Sequence, residues 1–133
     1  MHLKVAFAVA TLACALPAFA RTPLTGDAFE AFVTGTTITY QQYDFIFGTE
    51  EYLEGRKVRW TVAPNQCLYG SWYPEGDDIC FVYEDDPTPH CWTFWMEGEA
   101  LMALSTNGVP GEELTAVDRT TNGLSCPGPD VGV

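Results

Sequence analysis

From Thr36 onward the chain is cut by turn signals into short runs of β-forming residues, and that spacing restricts the fold more than any other feature of the sequence. The runs are Thr36–Tyr40, Phe45–Leu53, Lys57–Val62, Cys67–Tyr73, Ile79–Tyr83, Cys91–Met96, Ala100–Leu104 and Leu114–Asp118. Glu54-Gly55, Pro64-Asn65, Glu75-Gly76, Asp86-Pro87, Glu97-Gly98 and the stretch from Asn107 to Gly111 separate them. Parallel neighbours need a crossover of about a dozen residues, so short connections imply antiparallel pairing. The expectation is an all-β antiparallel meander curled into a small barrel or half-barrel. Leu24 to Gly35 reads as one short N-terminal helix. Thr25 can cap its start, Asp27 and Glu30 suit its positive end, and Gly35 can take the left-handed stop. Phe29, Phe32 and Val33 then share a face that would close one end of the barrel.

The first twenty residues set the compartment. Met1-His2-Leu3-Lys4 is a short basic start, Val5 to Leu16 is apolar, and Ala18-Phe19-Ala20 is a small-x-small cleavage site. This predicts a signal peptide over 1–20, cut after Ala20, with Arg21 as mature N-terminus. The apolar run is shorter than the roughly 20 residues of a transmembrane helix. Thr11-Leu12-Ala13-Cys14 offers the alternative of a lipoprotein site at Cys14. The remainder of this 133-residue chain suffices for one domain, 21–133, with an irregular tail from about residue 120. A periplasmic or secreted location is expected.

Export exposes cysteines to oxidation. Cys67, Cys80, Cys91 and Cys126 remain after the leader, and four cysteines allow three pairings. Glu84-Asp85-Asp86-Pro87-Thr88-Pro89 reads as a hairpin loop that sets Cys80 opposite Cys91 or within one step. Ile79, Phe81, Tyr83, Trp92 and Phe94 then share a face, as burial requires. A turn at Pro74-Glu75-Gly76-Asp77 would set Cys80 opposite Ser71, away from Cys67. The preferred pairs are therefore Cys80–Cys91 and Cys67–Cys126, the second tying the tail to the sheet. Zinc ligation is the rival reading, but no CxxC pair supports it.

Eighteen acidic residues outnumber six basic ones, a net charge of −12 that falls by one more unit when Lys4 leaves. Such a surface repels nucleic acid and anionic lipid, keeps the chain soluble, and could attract a basic protein. Arg56, Lys57 and Arg59 form the only basic cluster; Lys57 and Arg59 share a face opposite Val58 and Trp60, where the simplest role is the solvated side of a strand paired with neighbouring carboxylates, and binding of an anionic ligand is the alternative. Trp60 alternates with Val58 and Val62, and Trp92 with Phe94 and Met96, so both point to the interior. A barrel this small either fills with side chains, the expected outcome because large side chains consume the space, or leaves room for one small apolar ligand. Trp95 shares the outward phase of Cys91 and is expected half exposed, available to a partner. Glu50-Glu51, Asp77-Asp78 and Glu84-Asp85-Asp86 lack the rhythm of a calcium loop and read as solvated turns. His90 sits in or beside the proline-rich loop with no nucleophile elbow, P-loop or paired-histidine spacing. No catalytic residue, metal or cofactor is assigned.

Gly48-x-Glu50-x-Tyr52-Leu53, Val58-Arg59-Trp60, Cys67-x-x-Gly70-x-Trp72, Ile79-Cys80-Phe81-x-Tyr83 and Cys91-Trp92-x-Phe94 form a combined pattern. It resembles a group of small exported proteobacterial proteins of unknown function, as does the closing Cys126-Pro127-Gly128-Pro129. The resemblance implies export and carries over no activity. A looser likeness to periplasmic lysozyme-inhibitor barrels rests on size, charge and β pattern alone. The leading functional expectation is a monomeric, non-catalytic binding or inhibitor-like module for a protein or a small apolar ligand. The alternatives are a small cell-envelope hydrolase using Glu50, Glu51 or Asp77-Asp78, and a structural or envelope-stress protein acting through its surface.

Overall fold

In the computed structural model, eight antiparallel strands close into a barrel in simple sequence order. The strands are β1 (Thr37–Gln42), β2 (Phe45–Leu53), β3 (Lys57–Thr61), β4 (Leu68–Glu75), β5 (Asp78–Tyr83), β6 (Asp86–Glu97), β7 (Ala100–Ser105) and β8 (Leu114–Thr120). β1 pairs with both β2 and β8, from Thr37 opposite Thr120 to Gln41 opposite Thr115 on the closing seam. Among the described residues every strand pairs on both sides, the β7–β8 seam being the shortest, with Met102 opposite Thr115 and Ala103 opposite Leu114. The structure describes residues 10, 12–14, 21–64, 66–108, 111 and 113–126. The predicted signal peptide and its cleavage after Ala20 lie largely outside the described residues, as do the last seven positions of the tail. Cys14, on the lipoprotein alternative, is described as an exposed free thiol.

The helix α1 (Gly26–Val33) forms where expected, within narrower bounds. Thr25 caps it, its hydroxyl accepting the Ala28 N–H at 3.1 Å. Gly35 ends the segment at φ 82°, a left-handed conformation that costs glycine little. Phe29 and Val33 are fully buried. The Phe29 ring is driven into one end of the barrel, 5.1 Å from Trp72 and 4.5 Å from Phe94, centroid to centroid. Arg56, on the neighbouring turn, fastens the plug by donating to Glu30 at 3.2 Å while lying 4.9 Å over Trp72. Tyr52, Val58, Ile79, Phe81 and Leu101 complete the core at this end.

Both disulfides have the expected connectivity. Cys80 faces Cys91 directly in the β5–β6 ladder, and Cys67 is joined to Cys126. The C-terminal segment crosses the outer face of β2 on its way there, the Leu124 N–H meeting Glu51 Oε2 at 3.3 Å. Two disulfides indicate an oxidising, extracytoplasmic environment. Among the described residues no helix is long and apolar enough to cross a membrane.

Three local expectations need correction. The β5–β6 loop is only Glu84-Asp85, because β6 begins at Asp86 and carries Pro87-Thr88-Pro89 in extended form opposite Val82. The irregular register there leaves prolines that lack an N–H outside the regular ladder. The β4–β5 turn is centred on Gly76-Asp77, so Cys80 faces Tyr73 rather than Ser71. Gly76 supplies the positive φ that this tight turn needs. Val62 lies beyond the end of β3 and is 71% exposed, so it does not share the interior with Trp60.

Candidate functional site: the open end of the barrel

The helix fills one end of the barrel; the other end is hollow. The connections at that end are β1–β2, β3–β4, β5–β6 and β7–β8, and between them lies a cavity of about 370 Å³. That falls within the range of small-molecule sites, roughly 300–1,000 Å³. Phe81 and Phe94 separate it from Phe29, since both line the cavity and pack on the plug.

The walls are aromatic. Trp60 and Trp92 both face inward, and Phe47 lies 5.7 Å from each. Phe47 reaches this position through a β-bulge. Tyr40 pairs with Gly48 and Gln41 with Ile46, which leaves Phe47 as the extra residue and changes its direction. Gly48 makes room for the Trp60 ring, because a Cβ there would lie 2.2 Å from it. Leu68 and Leu114 add aliphatic surface, while Asp85, Asp86 and the exposed His90 stand at the rim.

Glu50 is the buried acid of this site. It is 2% exposed, lines the cavity, and accepts the Tyr83 hydroxyl on Oε1 at 2.8 Å. Its Oε2 has no hydrogen-bond partner among the described residues. Tyr40 and Tyr52 bond to each other at 2.7 Å and also line the space. Burial raises the Glu50 pKa well above the usual carboxylate range, against the opposing effect of the Tyr83 hydrogen bond. Burial likewise raises the Tyr40, Tyr52 and Tyr83 pKa values, with the Glu50 charge adding to the effect, so all three phenols stay protonated.

The residues singled out from sequence divide between the two faces of the sheet. Trp60 and Trp92 meet in the cavity. Arg59 points outward and grips Glu51, its Nε at 2.7 Å from Oε1 and one Nη at 2.8 Å from Oε2. Trp95 also points outward but is 2% exposed instead of half exposed. The segment before α1 covers it: Leu24 bonds to the Phe94 carbonyl, and the Arg21 guanidinium lies 4.4 Å over the indole. A recess of about 480 Å³ borders this segment, yet Trp95 already donates to Glu97, and Arg21 is paired with Glu113.

The carboxylates expected for a hydrolase, Glu50, Glu51 and the Asp77-Asp78 pair, do not converge. Adjacent strand residues face opposite ways, which places Glu50 inside and Glu51 outside. Asp78 is taken up by the Thr93 and Thr106 hydroxyls, each at 2.9 Å, and Asp77 is exposed. No group of three His, Cys, Asp or Glu among the described residues could hold a metal ion. The residues that sequence reasoning missed are Phe47, Tyr83 as a partner for Glu50, and Glu50 as a lone interior acid. The available signal is Glu50 at the same inward phase as Tyr52. Comparison with protein-family models, with curated proteins and with solved structures finds no match in any of the three.

Proposed function

We propose that this chain is an exported, non-catalytic binding module that holds one small apolar ligand in the open end of its barrel. Cleavage after Ala20 and release to the periplasm or exterior belong to the same reading. The observation that carries it is the cavity of about 370 Å³, walled by Phe47, Trp60 and Trp92 and entered from solvent. Tight packing is the norm for protein interiors, and a void on this scale at one end departs from it. The aromatic walls suit a flat or short-chain apolar molecule, and two indoles at the contact give binding an optical signal.

The test is a titration with 2-phenylethanol followed by tryptophan emission and by calorimetry. The expected result is one saturable site with Kd between about 10 μM and 1 mM, an affinity ordinary for so small a ligand. Leu68→Trp, which fills the cavity from β4, should abolish binding while leaving a cooperative unfolding transition. Absence of saturable binding to the folded protein, or unchanged binding in the filled variant, would overturn the reading.

A further inference from the structure

The hollow end of the barrel carries chemical information about its occupant. Resting on the binding reading above, we infer that the cavity selects an apolar amine, whose ammonium group is received by Glu50 Oε2 and whose hydrocarbon part lies among Phe47, Trp60 and Trp92. Three observations converge. Glu50 Oε2 is buried without a partner in the cavity lining, and a buried polar atom left unpaired is costly until something satisfies it. The surrounding rings present π-faces, which attract a cation. Among the described residues no Lys or Arg lines the space. Its charged groups are Glu50 inside and Asp85 and Asp86 at the rim, with His90 beside them. The Thr88 N–H and hydroxyl hold the Asp86 pKa below its usual value, so that rim group stays negative. An anionic ligand such as a fatty acid finds no Lys or Arg partner among the described lining residues and faces the Asp85 and Asp86 carboxylates at the rim. A neutral ligand leaves the acidity of the site unused.

Proton balance is set by the same geometry. Glu50 faces the Tyr83 hydroxyl from β5, the Tyr40 phenol from β1 and the Tyr52 phenol on its own strand, none of them positive. Burial shifts the carboxyl of the empty site toward its neutral form. As an ammonium ion enters, Glu50 ionises and its proton leaves to solvent, so the bound pair is carboxylate and ammonium. No bond to carbon forms or breaks. Affinity for the amine should then rise with pH, approaching tenfold per unit, until Glu50 ionises in the free protein or the amine itself loses its proton.

Three probes that share a phenylethyl group test this on the intact mature chain: 2-phenylethylamine, 2-phenylethanol and 3-phenylpropanoate. Calorimetry at pH 7.5, in two buffers of different ionisation enthalpy, reads both affinity and protons released. The expected result is amine binding at least tenfold tighter than alcohol, no measurable carboxylate binding, and proton release with the amine alone. Glu50→Gln keeps the acceptor for Tyr83 and should abolish the amine preference and the proton release. Equal binding of amine and alcohol, or proton release that survives Glu50→Gln, would overturn the amine inference and leave the binding module standing. Failure of all three probes would remove both.

Discussion

At the scale of single residues, Glu50 ties stability to pH. Its folded pKa is raised by burial from an ordinary value of 4.5. The favourable neutral form therefore contributes fully below about that pH, and the contribution is lost as pH rises through the folded value. Within that window the slope approaches about 1.4 kcal/mol per pH unit for one proton. Glu50→Gln removes the titration, so urea unfolding at pH 4.5, 6 and 8 should show the variant gaining on the native protein as pH increases. Parallel stability curves would contradict this. Gly48 makes a second residue-scale case. Adding a methyl group where Trp60 lies against the backbone should cost roughly 1–3 kcal/mol in Gly48→Ala, read by the same denaturation, through displacement of the indole. Neither role is visible in a residue's own identity. An acid in a strand is usually a solvated one, and a strand glycine announces a close approach without naming the neighbour.

At the scale of elements, the helix and the bulge divide the barrel into a filled half and a hollow half. Phe29 contacts Tyr52, Trp72, Phe81 and Phe94 together, so its removal opens the plugged end. Phe29→Ala should lose about 3–5 kcal/mol in chemical denaturation, the cost of emptying an aromatic site that neighbours cannot refill. The helix is legible in the sequence because the Thr25 cap, the Phe29-Phe32-Val33 face and the Gly35 stop all agree. The strands are legible through alternation and turn residues, and the Cys80–Cys91 register through the shared face of Ile79, Phe81 and Tyr83. The Phe47 bulge is not, since one extra residue in a ladder is defined only by the partner strand. The burial of Trp95 escapes the sequence for a related reason. Strand phase correctly sends it outward, but phase says nothing about Arg21 to Leu24 folding back over it.

At the scale of the whole molecule, two covalent links brace a domain whose interior is partly empty. The Cys67–Cys126 link spans 59 positions and Cys80–Cys91 spans 11. In the chain-entropy account the longer loop contributes about 4 kcal/mol and the shorter about 3. Replacing Cys67 and Cys126 together by serine should therefore lower the unfolding free energy more than replacing Cys80 and Cys91. The reverse order in urea melts would show that the hairpin, and not the tail, is the critical fastening. Closure of the sheet by β1 and β8 is half legible. Eight strands suffice for a barrel, but only the β1–β8 register excludes the half-barrel. Hollowness lies beyond the sequence altogether, because the same aromatic residues can fill a space or line one.

Nuclear magnetic resonance of the four indole N–H groups during titration with 2-phenylethylamine and 2-phenylethanol tests the central claim, a ligand held in the open end, most directly. Trp60 and Trp92 wall the cavity, Trp72 packs against the helix plug, and Trp95 lies on the outer face. The predicted result is saturable shifts at Trp60 and Trp92, larger at low concentration with the amine, and nearly fixed signals at Trp72 and Trp95. Shifts centred on Trp95, or four stationary indoles at saturating ligand, would contradict the account.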